Sequence, residues 1–200
     1  MKILYITQYF YPEVGATTNR ALANIRHLAK KHQVTVLTEM PNHPQGVIHD
    51  GYKGKLFVSE KMESFLIKRF WVCTSKNKFF LNRVFFYLSF AFFGTLYTLL
   101  KAGKFDVIFI TSPPLFISLI GITAKIFYPQ KKMFFEVRDL WPDCAIAMGE
   151  LHNQLFISLS YWMENSIYRR SEKIITITRY IKDRIIDKGV NGDNIVVIHN

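Results

Sequence analysis

Short β-branched or aromatic runs alternate with helix-period segments along the whole chain, and few folds accept that order. Lys2–Thr7 reads as a first strand, and the loop Gln8–Thr18, with Pro12 and Gly15, leads into a helical period. Leu22, Ile25, Leu28 and Ala29 fall on one face of that helix, with Arg26, Lys30 and Lys31 on another. Further strands are expected at Val34–Thr38, Phe65–Val72, Phe105–Thr111, Met133–Val137, Lys173–Ile177 and Ile195–Ile198. Between them lie helices ending at Phe127, over Leu151–Arg170, and over Arg179–Lys188 closed by Gly189. Strand–helix alternation of this kind predicts an α/β fold, a Rossmann-like parallel sheet flanked by helices, with residues 1–200 as one domain. Pro41 to Lys78 is the least regular stretch, rich in Pro, Gly, Asn and His as far as Gly54.

The segment Phe79–Leu100 is unusual. Its uncharged core, Val84–Leu100, is seventeen residues long, about 25 Å as a helix and at the lower limit for a bilayer span. Flanked by strands of one sheet, a buried or membrane-grazing helix is preferred over a true span. The formal charge of +11 is uneven: residues 71–135 carry eight Lys/Arg against one acid, while residues 136–200 carry eight against nine. Basic charge beside aromatic residues fits an anionic membrane surface. No nucleic-acid motif accompanies it, so nucleic acid is not the expected partner. Two cysteines far apart, Cys73 and Cys144, fit a reducing compartment, and Met1-Lys2 running straight into Ile3 leaves no room for a signal core.

In an open parallel sheet, ligands bind beyond the carboxyl ends of the strands. That rule selects the loops Gln8–Asn19, Glu39–Gly46, Thr111–Pro114 and Arg138–Asp143. Gly15, before a helix start, lets backbone approach a ligand where free N–H groups attract an anion; alternatively it only makes the turn, with Thr17 or Thr18 as cap. One glycine is not a dinucleotide fingerprint. Arg20 sits against the helix-dipole preference, which suits pairing with an acid across the cleft or with a phosphate. Asp139 follows the apolar strand Met133–Val137 at the sheet edge, where a catalytic base or acceptor-hydroxyl partner belongs. Trp141-Pro142 stiffens the same loop and offers a surface for sugar stacking; core packing is its other reading. His43 lies in a polar loop, Pro41–Pro44, and Ser112 at a strand end. The six histidines show no metal pairing.

These loops, PEVGATTNR, VTVLTEMPNHPQG and RDLWPD, together with YKGK and the ending IITITRYIKDRII…NIVVIHN, resemble glycosyltransferase family 4. Within it they are similar to the bacterial surface-polysaccharide branch of fucosaminyltransferase-like proteins. The resemblance implies the N-terminal half of a GT-B fold, with acceptor binding here and donor binding in a second domain following Asn200. It implies Asp139 as the catalytic-side acid, and Gly15, Ala16, Thr17, Asn19 and Arg20 as the loop facing donor phosphates and acceptor. His43, Ser112, Arg138 and Trp141 would line the acceptor cleft; many relatives carry His where this chain has Arg138. A nucleotide-sugar donor, a lipid-linked saccharide acceptor, no metal and no other cofactor follow. The expected place is cytoplasmic, peripheral on the inner face of the plasma membrane through residues 79–100, with the isolated domain inactive. A GT-B-type sugar-nucleotide epimerase and a non-catalytic membrane- or partner-binding module are the alternatives.

Overall fold

A computed structural model describes residues 1–76 and 79–199. The expected start of an interdomain linker at Asn200 lies outside them. Eight strands form one sheet: β1 (Lys2–Ile6), β2 (Gln33–Glu39), β3 (Phe57–Met62), β4 (Phe65–Phe70), β5 (Val107–Ser112), β6 (Lys132–Val137), β7 (Lys173–Thr176) and β8 (Ile195–Val197). The helices are α1 (Ala16–Ala29), α2 (Phe80–Lys101), α3 (Ser118–Phe127), α4 (Asp143–Ala147), α5 (Gln154–Arg170) and α6 (Arg179–Asp187).

The strand order is β3-β4-β2-β1-β5-β6-β7-β8. The Rossmann-like reading holds, with one correction. β3 was not anticipated, and it pairs antiparallel with β4, so the sheet is mixed at that edge. Right-handed crossovers then fix the layers. From β1 the chain moves one way, and α1 covers one face, packing Ala21 and Ile25 against Ile3, Tyr5, Val34 and Val36. From β4 it moves the other way, so α2, α3, α5 and α6 share the opposite face, where Phe90, Ile120, Ile167 and Ile185 meet Leu4, Ile108 and Phe135. The direction reverses beside β1 and β5, which opens a crevice beyond their carboxyl ends.

Helix α2 packs along one face only. Phe90, Ala91 and Thr98 turn inward, and Gly94 allows close approach to α3, because a Cβ there would meet Ile120 Cδ1 at 2.5 Å. Leu81, Phe85, Leu88, Phe92, Leu96 and Leu100 remain exposed, spaced by three or four residues so that they form one apolar stripe. By length and composition Leu81–Lys104 could cross a membrane.

Candidate functional site

At the first sheet-edge loop, α1 begins at Ala16, so Ala16, Thr17, Asn19 and Arg20 belong to the helix and not to the loop. No side chain caps its N-terminus, and Gly15 has an extended φ of 168°; capping by Thr17 or Thr18 does not occur. A Cβ on Gly15 would meet nothing within 4 Å, so the fold itself does not require glycine here. The first-turn N–H groups lack a side-chain cap, and a helix start of this kind favours an anion.

Arg20 does find an acid across the sheet edge. Its Nε donates to Glu136 Oε1 at 2.9 Å, and its terminal nitrogens donate to the carbonyls of Ile198 and His199. The other Glu136 oxygen accepts from Thr111 Oγ1 at 2.6 Å. Next along the chain, Arg138 is 8% exposed, and its Nε is buried with no hydrogen-bond partner among the described residues. Burial draws the Arg138 pKa below the usual arginine value; Glu136 opposes the shift and Arg20 adds to it. The unpaired Nε is closed off from solvent, so an incoming oxyanion would meet this guanidinium only where the side chain reaches the surface. Asp139 is exposed beside it, and its carbonyl accepts the Trp141 N–H in a tight turn. Ser112 is buried and gives its carbonyl to the Arg138 N–H at 3.2 Å, which sets the height of the β6 loop.

His43 stands apart from this group. Its loop is held from beneath by Glu13, whose Oε1 accepts the N–H groups of Asn42 and His43 at 2.8 and 2.9 Å. Gly46 closes the loop with φ +66°, and a Cβ there would strike the Ser75 carbonyl oxygen at 2.5 Å, so only glycine fits. His43 is exposed and lines a polar cleft of about 290 Å³ with Tyr9, Lys76, Asn82, Arg83 and Tyr87. Rings step from His43 to Tyr9 (6.2 Å), Phe86 (6.4 Å), Tyr87 (5.3 Å) and Phe116 (5.6 Å). Trp141 lies at the far end of this aromatic path. It lines an apolar groove of about 120 Å³ that shares Arg83 and Tyr87 with the polar cleft. The predicted residues thus fall into three places, of which the last two share a wall.

Glu136, Arg83, Glu13 and Tyr9 were not singled out from the sequence. Two had a signal: Glu136 is an acid inside a strand otherwise apolar from Met133 to Val137, and Arg83 is the only charge between Phe79 and Leu100. Among the described residues no three His, Cys, Asp or Glu side chains gather as metal ligands.

Beneath the His43 loop, Glu39 is buried and accepts from Asn42 Nδ2 at 2.8 Å. Burial pushes its pKa well above the usual carboxylate range, and the neighbouring Glu13 adds to the shift. A raised folded-state pKa means that the native state holds a proton the unfolded chain has released, so this contribution to stability falls as pH rises above the ordinary carboxylate value. Glu39→Gln removes that titration. The variant's melting temperature is expected to fall less than the wild type's between mildly acidic and alkaline pH. Parallel melting curves across that range would remove Glu39 as the source.

The family profile described as Glycosyltransferase Family 4 matches residues 18–200. Comparison with curated proteins returns no match. Among solved structures, the chain is similar to a lipopolysaccharide outer core galactosyltransferase WaaB in its apo form, with 17% identity and a TM-score of 0.47 over 100% of this chain and 46% of that one. It is also similar to a putative UDP-N-acetylglucosamine 2-epimerase from Listeria monocytogenes (11%, TM-score 0.51, covering 98% and 44%). A third is an E. coli structure described as trehalose-6-phosphate bound with UDP-2-fluoro glucose (9%, TM-score 0.58, covering 94% and 42%). At these identities the last two support the fold alone, that of a GT-B Rossmann-like half, and the chain spans less than half the length of each. The family rests on the profile, which covers more than nine-tenths of the chain: this protein belongs to glycosyltransferase family 4.

Proposed function

We propose that this chain is the acceptor-side domain of a retaining glycosyltransferase. It would move a sugar from a nucleotide sugar to a lipid-linked saccharide at the cytoplasmic face of a membrane, in surface-polysaccharide synthesis. The observation that carries the reading is the position of α2. This one helix supplies Asn82, Arg83 and Tyr87 to the cleft wall while its other face presents the exposed stripe Leu81–Leu100. A soluble acceptor, or a sugar-nucleotide epimerase, has no use for an apolar surface beside its cleft. In this reading the donor phosphates meet the α1 N-terminus and Arg138, most of the nucleotide is held by a second domain, and Asp139 receives the acceptor. The isolated domain is expected to be inactive.

Burying a large apolar side chain contributes about 1.5–3 kcal/mol, against about 1 kcal/mol per Lys or Arg near an anionic surface. The stripe therefore outweighs Lys101 and Lys104 at its end. Vesicles containing phosphatidylglycerol are expected to sediment the chain, with raised salt weakening but not abolishing capture. Failure to bind at low salt would remove the membrane from the reading. For the chemistry, Asp139→Asn in the complete enzyme is expected to lower turnover by roughly 10²-fold or more with vesicle binding intact. Unchanged turnover would take Asp139 out of the site.

A further inference from the structure

We infer that the groove between α2 and α5 holds the phosphate-proximal isoprenoid units of the lipid-linked acceptor, with Arg83 at the junction between chain and diphosphate. The inference rests on the lipid-linked reading above and adds to it a place for the lipid chain. The groove adjoins the polar cleft, because Arg83 and Tyr87 line both. One ligand could therefore keep a polar head at His43 and an apolar tail beside Trp141. Its walls are almost wholly apolar, with Leu88, Phe116, Trp141, Phe156 and Met163 among them.

Size and outlet agree. A dry apolar cavity of about 150 Å³ takes up benzene, so about 120 Å³ accommodates one branched five-carbon unit, with the chain continuing outward. Leu88 and Leu159 line the groove and are themselves exposed, as are Leu155 and Trp162 on α5; Leu88 also belongs to the apolar stripe of α2. The flat trisubstituted double bonds of an isoprenoid suit a wall that carries the rings of Tyr87, Phe116 and Trp141, an advantage a saturated acyl chain lacks.

The charge at the junction is available. Arg83 pairs with Glu150 at 3.0 Å and also donates to the Tyr87 hydroxyl, but the ion pair's side chains are 37% and 41% exposed. An exposed pair of this kind holds the arginine weakly, and a diphosphate, with more charge and more acceptor oxygens, displaces the carboxylate. Lys76 lies on the same cleft wall.

Farnesyl diphosphate, farnesol, hexadecyl phosphate and inorganic pyrophosphate serve as probes, titrated calorimetrically into the chain below their aggregation concentrations. Farnesyl diphosphate is expected to bind at least about tenfold more tightly than each of the others, a difference of about 1.4 kcal/mol. Leu88→Gln/Leu159→Gln, both at exposed positions, is expected to remove the advantage over pyrophosphate and leave pyrophosphate binding unchanged. Arg83→Gln is expected to remove the advantage over farnesol. If the double variant unfolds, a benzophenone-bearing farnesyl diphosphate gives an independent reading on the wild type, with crosslinks expected within residues 141–163. Crosslinks confined to the 92–100 stripe, equal binding of hexadecyl phosphate, or a groove closed by a second copy of the chain in solution would each overturn the inference. Vesicle capture that persists while the groove fails leaves the lipid-linked reading standing; loss of both removes the two together.

Discussion

Replacing Arg20 by leucine is expected to lower the unfolding free energy by about 3–5 kcal/mol, because it strands a buried carboxylate. Glu136 lies inside the sheet at 1% exposure, and the Arg20 side chain at 9%. With Arg20 gone, Thr111 Oγ1 still donates to one Glu136 oxygen, but the charge loses its direct ionic partner. The nearby Arg138 attracts it only from a distance. The same change frees the carbonyls of Ile198 and His199, so the segment after β8 loses its tie to α1. For a chain of this size the loss corresponds to a melting temperature lower by roughly 10 °C. Glu136→Gln in the same background is expected to restore much of the loss, since the stranded charge is then gone. A denaturant titration that finds the single variant within about 1 kcal/mol of wild type would show the pair to be incidental. The prediction also bears on the site, because Arg20 is already held by Glu136, whereas the neighbouring Arg138 keeps an unpaired Nε.

Most of the fold was legible because its elements are coded locally. A strand buried on both faces must be continuously apolar, as in Ile3–Ile6, and a helix on one face must repeat at 3.6 residues, as in α1. β3 escaped because an edge strand obeys neither rule. Its residues alternate between exposed and half-buried, Glu60 and Lys61 break the apolar pattern, and the hairpin to β4 turns through Glu63 at φ 52°, a residue that carries no turn signal. The candidate site was legible as a set of loops but not as an arrangement. Sheet-edge reasoning selects His43, Asp139 and Trp141 one by one. Only the path of α2 shows that His43 and Trp141 share a wall. Glu136 could have been found, since an acid within an apolar strand demands a partner.

Arg69 had no comparable signal, and its loss is expected to be about as costly as that of Arg20. Its residue type gives no hint of burial, yet on the face of β4 that it shares with Phe65 and Ile67 it is 1% exposed. Four segments distant in sequence meet over it. Its guanidinium pairs with Glu60 on β3, donates to the carbonyl of Tyr11 in the loop after β1, approaches the carbonyl of Glu39 at the end of β2 at 3.4 Å, and stacks 5.3 Å from the ring of Tyr52. Glu60 is partly exposed and can rehydrate, so the larger cost lies elsewhere. A stranded buried acceptor costs about 1–3 kcal/mol, and truncating so large a side chain leaves a cavity besides. Arg69→Ala is therefore expected to lose about 3–5 kcal/mol. Arg69→Lys should recover less than half of it, because the ammonium carries its donors on one nitrogen and cannot reach partners spread around the planar fork. The loss should also be local in its consequences: Tyr11 and Glu39 flank the Glu13–Asn42–His43 hydrogen bonds, so amide exchange at Asn42 and His43 is expected to quicken in Arg69→Lys before global unfolding does. Unchanged protection at those two amides, in a variant that has lost stability, would confine Arg69 to the edge of the sheet and separate it from the cleft.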